Sequence, residues 1–201
     1  MTTLTVKERQ HLAREGAILE AARVLLTEHG YEKMSMDDLA HQVGIAKATL
    51  YQHFPSKEDV LIGVVVALMK EGESELSNAA DEGLPALIRL ERGLSRCLLA
   101  RMKHSDWRVG TQPVLLKSHP LYQQQYSHLS DRIMALLEEA CAQGDVNPAL
   151  VLSVVAHTII CLFRLDFDML RSLSSVTNEE AVNTLVALVI NGLKPTEKRN
   201  S

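Results

Sequence analysis

The sequence predicts an all-α fold, for three reasons. Glycine (10 residues) and proline (6 residues) are sparse among the 201 residues, and residues with high helix propensity dominate. Apolar residues recur three and four positions apart, which places them on one face of a helix. Capping residues precede several of these periodic segments. Together these features predict about nine helices and no β-strand.

The first two helices are predicted from their spacing and their ends. Apolar residues follow helical spacing over about residues 6–29, and Gly30 is a typical C-terminal stop. Ser35 is expected to cap the second helix, with Asp38 three residues later in a capping-box pattern. Gly44 supplies the turn that follows.

A short third helix is expected over about residues 46–53, anchored to the core by Leu50 and Phe54. Pro55 ends it, and Ser56 caps a fourth helix that continues to about residue 80. No flexible linker separates these two helices. We therefore expect a first domain over residues 1–55, a second over 56–193 that begins with a rigid helix, and a disordered tail over 194–201.

Four further helices are expected at residues 85–103, 121–142, 148–171 and 178–193. Asn147 and Pro148 are predicted as the N-cap and first residue of the 148–171 helix, and Thr177 as the cap of the last. One glycine and two prolines are expected to break residues 104–120 into short helices and loops.

Composition excludes several classes of protein. The net charge is −4, and residues 1–57 hold seven Lys/Arg and seven Asp/Glu, so contact with a polyanion must come from a few placed cations. The N-terminus lacks the apolar segment of a signal peptide, and the longest apolar helical run, residues 60–69, is too short for a bilayer. Three widely spaced cysteines indicate no disulfide framework. A cytoplasmic protein without membrane association is expected.

The second and third helices have the size and connection of a helix-turn-helix, whose second helix enters the major groove of DNA. Lys47, Ala48 and Thr49 lie near the start of that helix, where base edges are reached. Lys47 can donate to guanine or to a phosphate, and Thr49 can hydrogen-bond or contact a thymine methyl. Double-stranded DNA is therefore the predicted partner.

Other residues of this segment are candidates for phosphate contacts. Tyr51 and His53 carry polar tips, and Lys57 and Ser35 lie at helix N-termini, which favour anions. Tyr51 could instead be a half-buried packing residue, and His53 a solvated surface residue. Lys47 alone would be an ordinary surface lysine, so the joint pattern carries the interpretation.

The segment resembles a known family at about twenty positions in register. The matching residues are Ile18-Leu19-Glu20-Ala21-Ala22, Gly30-Tyr31, Ser35-Met36-Asp37-Asp38-Leu39-Ala40, Val43-Gly44-Ile45-Ala46-Lys47-Ala48-Thr49-Leu50-Tyr51-Gln52-His53-Phe54 and Ser56-Lys57-Glu58. They closely resemble the N-terminal domain of tetracycline-repressor (TetR) family transcriptional regulators, over about residues 12–62.

The resemblance implies that Lys47, Ala48 and Thr49 face bases or nearby phosphates. It also implies that Tyr51, His53 and Lys57 contact the DNA phosphate backbone. It also implies a helical effector-binding and dimerisation domain. One departure is Ala46, where many members carry serine. Alanine lacks an N-cap that contributes about 0.5–2 kcal/mol where it forms, but Ala46 and Ala48 suit apolar contact with a thymine methyl.

Two sets of residues in the second domain are candidate contacts. In dimers of the family, the last two long helices of each subunit pack together. Apolar residues cover more than one face of the helix at residues 178–193, which favours burial on two sides. The candidate dimer residues are Leu152, Val155, Val182, Leu185, Val186 and Val189. Methionines and aromatics suit an adaptable, partly apolar effector pocket, although each could be core. The candidate pocket residues are Met69, Met102, Trp107, Leu115, Tyr122, Tyr126, His157, Cys161 and Arg164.

The 148–171 helix carries a polar stripe, with His157, Cys161, Arg164 and Asp168 on one face. Because buried polar groups need partners, this stripe is a pocket wall, a polar dimer seam or a solvated edge. His157 and Cys161 have metal-ligand spacing, but no third ligand is evident. No metal site and no cofactor are therefore predicted.

The sequence thus predicts a homodimeric repressor released from a palindromic operator by a small-molecule effector. The alternative is a DNA-binding protein of the same architecture that a protein partner controls, or that lacks a small-molecule effector. An enzyme is not expected, since no nucleophile elbow, phosphate loop, HExxH motif or paired acid cluster occurs.

Overall fold

The structure, a computed structural model, describes residues 5–78, 81–103, 113–165 and 167–195, without the side chains of residues 103, 113–115, 168, 171, 173 and 174. Within these ranges it contains ten α-helices and no strand, which confirms the predicted all-α class. The helices are α1 (Val6–Lys33), α2 (Met36–Val43), α3 (Lys47–His53), α4 (Lys57–Leu76), α5 (Ala86–Lys103), α6 (Pro113–Ser118), α7 (Pro120–Ala142), α8 (Leu152–Leu162), α9 (Phe167–Ser174) and α10 (Asn178–Leu193). None of the described helices is long and apolar enough to cross a membrane.

The chain forms two compact units. The first comprises residues 1–68 with 106–122, and the second comprises residues 69–105 with 123–201. Two helices, α4 and α7, run from one unit into the other without interruption. The units are therefore joined by helical backbone at both of these crossings.

In the first unit, α1 packs against α2, and α2 packs against α3. The core between them is built from fully buried Ile18, Leu26, Leu39 and Leu50. The predicted turn forms at Gly44, which ends α2 with a φ of 72°, a conformation that favours glycine. These contacts hold the short α3 in place, since an isolated helix of seven residues would be marginal in water.

Side-chain caps set the helix starts as predicted. The Ser35 hydroxyl accepts a hydrogen bond from the Asp38 N–H at 3.1 Å, and Ser56 accepts from Asp59 N–H at the same distance. Thr177 forms a complete capping box with Glu180 at the start of α10. The first helix continues beyond its predicted stop, because the chain kinks at Gly30 (φ 75°) and turns helical again to Lys33.

The core of the second unit forms around α5, α7, α8 and α10, and α5 packs closely against α10. Gly93 of α5 lets α4 approach, since a Cβ at this position would lie 2.8 Å from Leu76 Cδ2 and 3.1 Å from Leu76 Cα. The Arg96 guanidinium donates to Glu75 Oε2 at 2.7 Å and to Asp81 Oδ2 at 2.6 Å. This network fixes α5 against the end of α4.

The helix predicted over residues 148–171 is not continuous, and its predicted N-cap is wrong. Asn147 Oδ1 accepts from the Ala149 N–H within a turn, and the Asn147 N–H donates to the Leu193 carbonyl at 2.8 Å. As a result α8 begins only at Leu152, without a side-chain cap. It ends after Leu162 in successive turns in which each N–H donates to the carbonyl three residues earlier. Helix α9 follows as a separate helix.

Candidate nucleic-acid interface

The exposed face of α3 is the part of the first unit suited to enter a DNA groove. Leu50 is fully buried and holds the helix to the core, whereas Lys47, Ala48 and Tyr51 are exposed and Thr49 is half-buried. Gln52, which the sequence prediction omitted, is also exposed, and its amide can donate to phosphates. The exposed residues include a cation, a small apolar side chain and hydrogen-bonding groups, which is the chemistry that reads a major groove.

An ion pair engages the one cation at the start of α3. Lys47 Nζ lies 2.5 Å from Asp37 Oδ1 in the first turn of α2, with both side chains mostly exposed. The hydrogen bond and charge of Asp37 raise the pKa of Lys47. Asp37 was missed as a site residue, and only its position in the first turn of α2 signals it. To contact DNA, Lys47 must share or leave this carboxylate.

Lys57 is oriented by two contacts at the start of α4. Its Nζ donates to the Glu32 carbonyl at 3.2 Å and lies 4.4 Å from the centroid of the Tyr31 ring. Burial, followed by the nearby charge of Glu58, raises the pKa of Tyr31 to about 12, so the phenol stays protonated and donates to Glu58 Oε1 at 3.3 Å. The N-terminus of α4 therefore carries one positioned cation beside its dipole.

The remaining predicted contacts differ in accessibility. Ala46 precedes α3 and is exposed. It makes no side-chain cap, because its methyl group cannot accept a hydrogen bond. The Ser35 hydroxyl donates a hydrogen bond to the Asp38 carboxylate and accepts one from the Asp38 N–H. His53 retains only 6% side-chain exposure and stacks on His11 of α1 with ring centroids 4.3 Å apart. A phosphate contact by His53 therefore stays a prediction that requires its ring to turn outward.

Of the predicted pocket residues, several belong to the cores of their own units. Met102 and Tyr122 are buried, and Met69 and Tyr126 pack half-buried against the core cluster of the second unit. Trp107 lies outside the described residues, and so do the side chains of Leu115 and Asp168. Arg164 is exposed beyond the end of α8.

A chain of polar contacts joins α7 to α8 in the second unit. The Tyr126 hydroxyl hydrogen-bonds His157 Nδ1, and His157 Nε2 lies 3.5 Å from Cys161 Sγ. His157 is exposed and Cys161 is half-buried. A neutral imidazole carries one proton, so one of these contacts donates to the ring and the other accepts from it.

The predicted dimer residues divide into two groups. Val182 and Val186 are buried in the chain's own core, so their prediction as partner contacts is wrong, because α10 turns them towards α5. Leu152, Val155, Leu185 and Val189 are half-buried. Three apolar residues that the prediction missed are exposed beside them in sequence, namely Val151, Val154 and Leu188.

Comparison with known proteins agrees with this geometry. Residues 18–64, which include the helix-turn-helix, match the family model described as bacterial regulatory proteins of the tetR family. The chain is 35% identical over 150 residues to the HTH-type transcriptional regulator EthR of Mycolicibacterium smegmatis, which covers 70% of this chain and 68% of the relative. It is 25% identical to the uncharacterised HTH-type regulator YhgD of Bacillus subtilis, over 90% of this chain and 96% of the relative.

Solved structures share the fold at lower identity. The regulator FadR of Bacillus subtilis, solved with stearoyl-CoA, superposes with a TM-score of 0.71 at 17% identity and covers 89% of this chain and 98% of its own. The ketosteroid regulator KstR2 of Mycobacterium tuberculosis superposes with a TM-score of 0.64 at 22% identity, covering 90% and 95%. These relatives are transcriptional regulators and not enzymes. The chain is a transcriptional regulator of the TetR family, with α2 and α3 as its DNA-binding helix-turn-helix.

Proposed function

We propose that the chain is a homodimeric repressor that binds a palindromic DNA operator in the cytoplasm and leaves it when a small molecule binds the second unit. The observation that carries the proposal is the exposed face of α3, with Lys47, Ala48 and Tyr51 presented from a helix-turn-helix of this family. Dimers of helix-turn-helix proteins place two such helices in successive major grooves, about 34–36 Å apart.

The dimer contact is proposed at the start of α8 and the outer side of α10. Val151, Val154 and Leu188 are large apolar residues exposed to solvent. The hydrogen bond from Asn147 to Leu193 brings the start of α8 near the end of α10. Leu185 and Val189 border this surface. Burying such residues against a second copy removes apolar area from water.

The dimer is tested by measuring the mass of the chain in solution. Leu188→Glu and Val154→Glu place a charge in the proposed interface, so each is expected to shift the chain to monomer. Ile88→Glu is the matched control, because Ile88 is a partly exposed apolar residue on α5. If both interface variants stay dimeric, the dimer uses another surface.

The effector is proposed to be a partly apolar small molecule that contacts α7 and α8. Tyr126, His157 and Cys161 provide the polar groups that could orient it, and half-buried Met69 provides adaptable apolar surface. Helix α4 supports a coupling between effector and DNA, because it belongs to both units. Long-chain acyl-CoA is the first probe, since a structural neighbour, the Bacillus subtilis FadR, was solved with stearoyl-CoA.

The effector proposal is tested by titrating stearoyl-CoA, and then shorter acyl-CoAs and steroids, into a complex of the chain with operator DNA selected from a random duplex library. A decrease in DNA affinity that Tyr126→Phe or His157→Ala reduces supports the proposal. If no apolar small molecule changes DNA affinity, regulation without a small-molecule effector, or by a protein partner, becomes the better account.

A further inference from the structure

A cluster of two histidines and one glutamate lies in the first unit, where α1 meets the end of α3. His11 Nε2 is 3.1 Å from Glu15 Oε1, and His53 Nδ1 is 3.6 Å from the same oxygen. The three ligand atoms all lie within 4.8 Å of one another. In the described part of the chain this is the one group of three or more residues that could hold a metal ion. DNA binding gives a predicted role to His53 alone, and neither it nor the proposed effector site accounts for His11 and Glu15.

One atom of the cluster, His53 Nδ1, lacks a hydrogen-bond partner in the protein. His53 Nδ1 is buried, and no protein group hydrogen-bonds to it, while the side chain is 6% exposed. An unpaired buried polar atom costs roughly 1–3 kcal/mol, so native structures keep few of them. The nitrogen lies 3.6 Å from Glu15 Oε1, which is an acceptor when ionised. A cation between the two groups would satisfy both.

The donor set and its spacing fit a zinc ion. Two imidazole nitrogens and one carboxylate oxygen leave the fourth tetrahedral position to water, and ligand distances of about 2.0–2.2 Å place ligand atoms roughly 3.3–3.6 Å apart. The distances of 3.1 and 3.6 Å fall close to this range. Imidazole ligands also suit other late transition metals, whereas magnesium and calcium prefer oxygen.

The site must adjust in one respect to bind an ion. The rings of His11 and His53 are stacked with 26° between their planes, and stacked rings cannot both direct a nitrogen lone pair at one ion. His11 can turn, because its side chain is 54% exposed. It also lines an open surface hollow with Lys7, Glu8 and Leu12, which gives an ion access. His53 and Glu15 can therefore stay in place while His11 closes the site.

We propose that His11, Glu15 and His53 form a zinc-binding site that joins the first turns of α1 to the last residue of the DNA-recognition helix. Binding replaces the ring stack with three metal bonds and satisfies His53 Nδ1. It also adds two positive charges to a unit that holds nine Lys/Arg and ten Asp/Glu. If the proposed DNA contacts of α3 are correct, zinc should strengthen DNA binding, because positive charge near the DNA phosphates increases affinity.

The site is tested on the full chain, stripped of metal, by calorimetric titration with Zn²⁺ and by the visible absorption of bound Co²⁺. One ion per chain is expected at this site. His11→Ala and Glu15→Gln are each expected to weaken binding by at least about tenfold, since even outer-shell changes cost 10–100-fold. His11 is exposed, so His11→Ala should fold normally, and circular dichroism checks this.

Two controls separate this site from other histidines. His29→Ala removes a histidine of the same helix with the same 54% exposure and its own nearby acid, Glu28, and should leave binding unchanged. His157→Ala tests whether the ion instead binds beside Cys161. Equal Zn²⁺ affinity in the parent, His11→Ala and Glu15→Gln chains would overturn the proposal, as would loss of binding only in His157→Ala.

The effect on DNA is measured separately with a duplex of random sequence. Zn²⁺ should increase the affinity of the parent and of His29→Ala, but not that of His11→Ala. If zinc binds as proposed and DNA affinity does not change, the metal site stands and its coupling to DNA is refuted. If the parent does not bind DNA at all, the proposed DNA contacts fail and the calorimetric result is unaffected.

Discussion

Asp37 is predicted to restrain DNA binding, because it holds the cation at the start of α3. Lys47 Nζ lies 2.5 Å from Asp37 Oδ1 in the free protein, and the same ammonium is the predicted contact for a base or phosphate. The carboxylate also places a negative charge beside the DNA-facing surface. Replacing it in the variant Asp37→Asn keeps the size of the side chain, removes the charge and frees Lys47.

The size of the effect follows from counterion release. Each phosphate that a cation neutralises changes the slope of log affinity against log salt by about −0.9. If Asp37→Asn gives Lys47 one full phosphate contact, the slope becomes steeper by about this amount. Between 50 and 200 mM salt, the variant should then lose about 3.5-fold more affinity than the parent, and at the lower salt it should bind several-fold tighter.

Fluorescence anisotropy with a random-sequence duplex measures this slope without knowledge of the operator. The matched control is Glu20→Gln, which removes one exposed carboxylate of the same unit that pairs with Arg23 at 2.8 Å. Coinciding salt curves for Asp37→Asn and the parent would refute a restraint of Lys47 by Asp37. An equal shift in both variants would mean that net charge, and not Lys47, is responsible.

Three further predictions concern the second unit. Gly93→Ala should lower the melting temperature, because its Cβ would lie 3.1 Å from the Leu76 backbone and overpacking costs about 1–3 kcal/mol. Gly72→Ala, whose Cβ meets no atom closer than 3.7 Å, should instead stabilise α4 through helix propensity. The Arg96 hydrogen bond lowers the pKa of Asp81 from 3.8. The ionised carboxylate therefore stabilises the fold above pH 3.8, and this stabilisation is lost as the pH falls through the pKa of Asp81 in the folded chain. The melting temperatures of the parent and Asp81→Asn should accordingly converge in acid. Burial raises the pKa of the Cys97 thiol to about 12, so iodoacetamide at pH 8 should label the half-buried cysteines and leave Cys97 unmodified until the chain unfolds.

The sequence predicts this fold well where local chemistry decides it. Ser35 and Thr177 cap their helices as expected, because a hydroxyl three residues before an acid satisfies backbone donors without help from the rest of the chain. Asn147 carries an equally good local signal, yet no helix starts there. Its N–H bonds the Leu193 carbonyl instead, a contact across 46 residues that no local pattern contains.

The site is predictable to a similar extent. The exposed residues of α3 follow from the spacing of Leu50 and the glycine turn, and a family resemblance reinforces them. The ion pair of Lys47 with Asp37 and the burial of His53 against α1 could not be predicted, since both depend on how three helices pack. The same holds for α10, where only packing against α5 decides that Val182 turns inward and Leu188 outward.

The central claim is that the exposed face of α3 binds DNA through a few placed groups. The most direct test is an anisotropy titration of the selected operator with the parent chain and with the double variant Lys47→Ala/Tyr51→Ala. Both side chains are exposed, so circular dichroism and melting temperature should be unchanged while DNA binding is lost. A folded double variant that binds the operator as tightly as the parent would contradict the claim.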